Sequence, residues 1–215
     1  LKYDSAFILN ALGLLHKERG EKLEAIAMFE KALELGKSLV EPTADGEPIS
    51  NYVVASSLLN LANYFLYTLK EVDTAYQYYK ESFEAYDSAF PHEFHVDVAD
   101  VSLGMGKIEL ERNQVEEAKR NFEQASNILM AYSNMFDERI DEAHRLLHQA
   151  SKRLAKKFSE EQDDIDSGKI VLTNDEMNQR MIKLEQEHNQ DKENYAKWKM
   201  FETRREEERA MAMKK

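Results

Sequence analysis

The sequence predicts an all-α fold, an α-solenoid in which helix hairpins stack side by side. Three observations carry that prediction. Gly and Pro, the strongest helix breakers, number only seven and three in 215 residues. Small residues recur at fixed offsets from an aromatic: Gly13, Ala25, Phe29 and Ala32 are echoed by Gly106, Ala118, Phe122 and Ala125. Charged residues make up 33% of the chain, so its helices are amphipathic and each has an apolar stripe to bury. A helix pair this short cannot cover its own stripe, so copies must stack beside it.

The first hairpin occupies residues 1–40. Its first helix starts near Asp4 or Ser5, either of which caps it, and carries Ile8, Leu9, Leu12 and Leu15 at helical spacing. Gly20 turns the chain. The second helix, from about Lys22 to Ser38, presents Leu23, Ile26, Phe29 and Leu33. Gly13 and Ala25 let the two backbones approach, and Phe29 fills the space beside them. Two prolines and a glycine make residues 41–48 a loop.

The second hairpin, 49–90, begins its first helix near Ser50 and matches with Ala62, Ala75, Tyr79 and Ser82. Ala62 and Ala75 are thirteen apart rather than twelve, which places one extra residue in the turn from Lys70 to Asp73. Tyr76, Tyr78 and Tyr86 fit packing between repeats. The third hairpin, 93–134, follows Pro91, with Asn113 in place of Gly20 at its turn, because Asn tolerates the left-handed conformation. Its opening histidines, His92 and His95, are expected as loop and capping residues.

A capping helix or partial fourth repeat, 136–165, has the seam Ile140, Ala143, Leu147, Ala150, Leu154 and Phe158. Its other face is basic, with Arg145, Lys152, Arg153, Lys156 and Lys157. The acidic run after Phe158 is expected to end it, since carboxylates oppose the dipole at a helix C-terminus. A linker, 166–175, leads to a long charged C-terminal helix, 176–215. Thr173 and Glu176 have the spacing of a capping box. Met177, Met181 and Leu184 are placed to pack back. Tyr195, Trp198 and Phe201 form a second apolar patch that either docks on the array or anchors a partner. The polar middle of the seam, His188 and Asp191, argues against a long dimeric coiled coil. Residues beyond about 185 are expected to exchange their amides freely.

Net charge is −12, and residues 176–215 hold ten Lys/Arg against nine Asp/Glu, so the earlier part is the acidic one. An acidic body disfavours nucleic acid and anionic membrane as main partners. Cysteine is absent, which removes disulfides and thiolate metal sites. No apolar run approaches a membrane span. The chain begins with Leu1, which fits either a removed start or a place within a longer protein. His144 and His148 stand at i, i+4, as two zinc ligands would, but no third ligand accompanies them, so a solvent-facing pair is expected. No nucleophile–base pair and no glycine-rich phosphate loop appears. The expectation is a non-enzyme without metal, cofactor or small-molecule substrate.

The offsets of the small and aromatic residues resemble the tetratricopeptide repeat over about Ser5 to Tyr132. The segments 53–66 and 95–111 look like the longer repeats of the kinesin light chain type. That resemblance implies a concave groove, lined by the first helices, that takes an extended peptide or a helix. Carried over, the groove positions are Phe7, Asn10, Leu14 and Lys17, then Leu59, Asn63, Leu66 and Tyr67, then Asp100, Leu103, Lys107 and Leu110. It implies a protein–protein scaffold or adaptor within a multi-subunit assembly, reached through Tyr195, Trp198 and Phe201 of the C-terminal helix. A cytoplasmic or cytoskeletal (axonemal) place, or an organelle interior, fits such a role. The alternative it implies is a co-chaperone that recruits the acidic C-terminal tail of a heat-shock protein. Leu14 and Asp100 stand against that clamp, because desolvated carboxylates need cationic partners.

Overall fold

The computed structural model of the protein describes residues 2–40, 52–91 and 95–213. Regular structure among them is helical: α1 Lys2–Glu18, α2 Lys22–Lys37, α3 Tyr52–Tyr64, α4 Val72–Ala89, α5 Asp97–Glu111, α6 Val115–Tyr132, α7 Glu138–Asp166 and α8 Asn174–Ala212. The loop 41–48, the start near Ser50 and His92 lie outside the described residues. The helices form two compact units, Leu1–Asn113 and Gln114–Lys215. The division falls in the turn of the third expected hairpin, so α5 belongs to the first unit and α6 to the second.

In the first unit α1 folds back on α2, α3 packs on both, α4 on α3, and α5 on α4 and α3. The small residues act as read. A Cβ on Gly13 would stand 2.4 Å from the Phe29 ring, and Ala25, Phe29 and Ala32 are fully buried. Phe29 also meets Tyr64 of α3 edge-on at 6.1 Å. The aromatic that fills one hairpin is therefore also the joint to the next. Burying such a ring is worth about 1.5–3 kcal/mol. Tyr79 repeats the arrangement one hairpin on: it is fully buried and lies on Gly104 of α5, where a Cβ would come within 2.2 Å of the ring. Spacing singles out Gly106, which is buried, but Gly104 makes this close approach. Tyr76 reaches Glu109 at 2.8 Å and Tyr78 packs on Phe65, so these tyrosines join helices, as expected.

The stripe read on α1 is only partly used. Ile8, Leu12 and Leu15 are exposed, and so is Leu23 of α2. The face of α1 that is buried carries Ala6, Asn10 and Gly13 instead. α2 and α3 cover that face, and among the described residues no further hairpin covers the other.

The extra residue of the second hairpin is not in its turn. Gly20, Lys70 and Asn113 each stand five residues before the anchor alanine, and all three have positive φ, 74°, 62° and 60°. The turns are thus alike, and the insertion lies upstream. It is absorbed as a π-helical turn, Phe65–Leu69, that continues α3. A π turn holds one residue more than the α-helical turn it replaces. The Glu71 amide then bonds back to the Phe65 carbonyl at 3.0 Å and closes the end.

In the second unit α6 and α7 form an antiparallel hairpin. Ala118, Phe122 and Ala125 of α6 are fully buried, as are Ile140, Ala143 and Ala150 of α7, with Leu147 and Leu154 nearly so. Asp137 caps α7, accepting the Arg139 amide at 3.0 Å and the Ser133 hydroxyl at 3.0 Å. The Arg139 side chain beside it, and to a smaller extent that amide and hydroxyl, hold the carboxyl at about 2, below its ordinary 3.8. A depressed carboxyl stabilises the fold above its unfolded pKa, and that contribution is lost as pH falls through the folded one. Asp137→Asn, which keeps a capping oxygen, is therefore expected to be less stable than wild type at pH 7. In urea titrations the gap should close between pH 4 and pH 2; a gap that stays constant would contradict the assignment.

α7 does not stop at the acidic run. It continues to Asp166 and ends at Gly168, φ 75°. Opposing carboxylates at a C-terminus cost only about 0.3–1 kcal/mol each. Here Glu161 is paired with Arg180, and Asp164 with Lys169 at 2.7 Å. The Gly168 and Lys169 amides close the last turn on Ile165 and Asp164.

α8 begins with the expected capping box at Thr173 and Glu176. It lies back along both α6 and α7, the docked one of the two alternatives left open for its apolar patch, and polar side chains seat it. Met181 is exposed; the contacts run instead from Arg180, on Glu161 and the Phe158 carbonyl, to Arg205, bidentate on Asp141 at 2.7 and 3.1 Å. Between them Lys183 meets Glu116 at 2.8 Å and Asn194 donates to Glu123 at 2.8 Å. At the centre Lys119 of α6, 3% exposed, is held by Asp191 at 2.9 Å, Glu187 and Glu123. Burial pulls the ammonium pKa down, but the carboxylates more than offset it and leave it raised.

Candidate functional site

The twelve groove positions carried over from the resemblance divide by their place on the helices. Asn10, Leu59 and Leu103 each stand three residues before the small residue of their helix, Gly13, Ala62 or Gly106. Three residues is nearly one helical turn, so they share the face that the small residue turns inward. All three are buried, and Asn10 donates to Ser57 at 2.9 Å. Leu110 is buried as well, at 6% exposure. These four are packing residues of the chain, closed to a ligand in this structure.

The other positions are open to different degrees. Phe7 and Leu14 are 44% and 42% exposed, and Lys17, Asn63, Leu66, Asp100 and Lys107 are half-buried. Asn63 accepts the Tyr79 hydroxyl at 2.6 Å. Lys107 of α5 donates to the Tyr67 hydroxyl at 3.1 Å and sits over its ring. Leu66, Tyr67 and Lys107 line a pocket of about 260 Å³ with Lys70, Val72, Ile108 and Glu111. The π turn places Leu66 and Tyr67 at this pocket, and the left-handed Lys70 follows them. The pocket lining combines the apolar Leu66, Val72 and Ile108 with a phenol, two lysines and one carboxylate.

One cluster was missed by the sequence reading. Asp97, at the start of α5, accepts from Tyr52 at 3.1 Å and Tyr86 at 3.0 Å. His95 stacks on Tyr86 and Phe90 and accepts the Asp97 amide at 3.2 Å, which is the capping role expected of it. Burial, with Asp97 beside it, pushes the Tyr52 hydroxyl up to about 12. These groups tie α3, α4 and α5 together and are spent on one another.

On α8, Phe201 is 9% exposed and belongs to the seat of the helix. Trp198 stacks on His144 of α7, centroids 3.8 Å apart and planes within 6°. Tyr195 is 63% exposed. His144 is thus half-buried rather than solvent-facing. Burial holds its pKa below the ordinary value, helped by His148 nearby, so the imidazole in the stack is neutral at pH 7. Among the described residues no group of three or more His, Cys, Asp or Glu is placed to hold a metal ion. No described helix is long and apolar enough to cross a membrane.

A tetratricopeptide repeat family model matches residues 8–43. That hairpin is similar to a tetratricopeptide repeat. The match spans most of α1 and all of α2, the hairpin in which Gly13, Ala25, Phe29 and Ala32 make the close crossing. Among curated proteins none matches the chain. Tetratricopeptide repeats form a noncatalytic family of protein–protein interaction modules, and the helical stacking seen here is of that kind.

Proposed function

We propose that this protein is a noncatalytic scaffold or adaptor, and that the first unit holds a peptide or helix of a partner against α1, α3 and α5. The observation that carries the reading is the exposure of Phe7 and Leu14 together with the pocket of Leu66, Tyr67 and Lys107. Apolar side chains held in the open on first helices, beside a polar anchoring point, are what an incoming segment needs. Seated as it is, α8 would offer an assembly Tyr195 and its outer charged face rather than Phe201. A cytoplasmic, cytoskeletal or axonemal assembly, or one inside an organelle, fits this role.

A photo-reactive residue placed at position 14 or 67 is expected to cross-link a selected peptide ligand. Leu14→Arg and Tyr67→Ala should each weaken that ligand at least tenfold, which is about 1.4 kcal/mol. Ligands that cross-link at neither position and bind both variants fully would overturn the reading. Lys70 and Lys107 favour a second reading, recruitment of a heat-shock protein tail, while Asp100 opposes it. A free acidic C-terminal peptide that shows no salt-sensitive binding to this unit would remove that option.

A further inference from the structure

We infer that the seam between α7 and α8 is a second binding site, and that its ligand is an acidic peptide segment with an apolar residue between two carboxylates. The seam encloses about 510 Å³, larger than the pocket in the first unit. Its walls are Leu147 and Ser151 of α7 and Tyr195 and Trp198 of α8, with Arg145, His148 and Lys152 at the rim.

The polarity of the ligand follows from which groups are already engaged. Asp191 is bound by Lys119 at 2.9 Å and Ser151 at 3.0 Å. Asn194 donates to Glu123 and accepts from Gln190. The acidic and amide groups of the seam are therefore satisfied within the unit. Arg145 and Lys152 are both exposed, and among the described residues neither has a hydrogen-bond or ion-pair partner. The unspent charge around the opening is positive, in a chain whose net charge is −12. Trp198, pinned by its stack on His144, offers a rigid aromatic wall, and such residues make binding hot spots at low entropic cost.

Spacing sets the form of the ligand. Arg145 and Lys152 are seven residues apart, about 10 Å along the α7 axis. A segment in the polyproline II conformation covers about 9 Å in three residues and returns the third to the same face. Two carboxylates three positions apart, with an apolar side chain between them, place one charge at each cation and the apolar group toward Trp198 and Tyr195.

The chain has one tryptophan, so its emission reports on this seam alone. The test titrates full-length protein with an amidated eight-residue peptide carrying two glutamates three apart and a phenylalanine between them. The expected result is a saturable change in emission that a glutamine-for-glutamate peptide does not give. Arg145→Glu combined with Lys152→Glu should weaken it at least tenfold, as should raising salt from about 50 to 500 mM. Both substituted residues are exposed and unpaired, and an unchanged thermal midpoint shows that the variant is folded. Leu14→Arg, which disables the proposed site on the first unit, should leave the response intact, so the two readings fail separately. An unmoved emission, equal binding by the charge-reversed variant, or a response to phosphatidylserine vesicles or oligonucleotide but not to the peptide would overturn the inference.

Discussion

Lys119→Met is expected to lower the stability of the second unit by about 3–5 kcal/mol. The ammonium is buried and faces the carboxylates of Glu123, Glu187 and Asp191. Removing one partner of a buried ionic group leaves the others uncompensated, and that costs more than the intact cluster contributes. Glu123 is the sharpest case, because burial already raises its pKa against the pull of Lys119. For a unit of about 100 residues the loss corresponds to a fall of more than about 10 °C in thermal midpoint. Adding Glu187→Gln and Asp191→Asn should recover much of it, since the repulsion goes with the charges. A wild-type midpoint in the single variant would mean that α8 is not seated by this cluster. The same docking predicts slow amide exchange along α8 as far as Arg205, the reverse of what the charge of that helix alone implies.

Gly13→Leu is expected to be among the most damaging changes in the first unit. A single Cβ there already stands 2.4 Å from a ring that is fully buried and touches both Ala25 and Tyr64. Replacing a mid-helix glycine gains roughly 0.5–1 kcal/mol in propensity, but overpacking a close crossing costs about 1–3 kcal/mol or more. The net effect is a loss, read as a lower urea midpoint. Combining it with Phe29→Ala, which empties the same space, should give a coupling of at least about 1 kcal/mol in a double-mutant cycle. Strict additivity would show that the two residues do not share the crossing.

The sequence was legible where one residue type alone meets a local demand. Gly13, Ala25 and Ala32 had to be small, and Phe29 large, for two helices to cross closely, so their offsets revealed the first hairpin. The offsets also held the place of the inserted residue: counted back from Ala75, the left-handed position is Lys70, which puts the insertion before the turn. Lysine does not advertise positive φ as glycine does, and that concealed it. The groove positions were legible as a register but not as a surface, because Asn10, Leu59 and Leu103 lie within 60° of their small residue and turn inward. The seat of α8 was least legible. A hydrophobic stripe announces its partner face, whereas Lys119, Arg205 and Asp191 look like any solvated charges until their partners from distant parts of the chain are beside them.

Because α8 is held mainly by countercharges and the first unit mainly by rings and methyl groups, one change of solvent acts on the two halves in opposite senses. Added electrolyte shields the carboxylates and ammonium groups along the helix, most at its exposed pairs. Strongly hydrated anions such as sulfate tighten apolar joints. Ionic strength therefore sets how firmly the tail is stowed, while the stacked hairpins keep their shape.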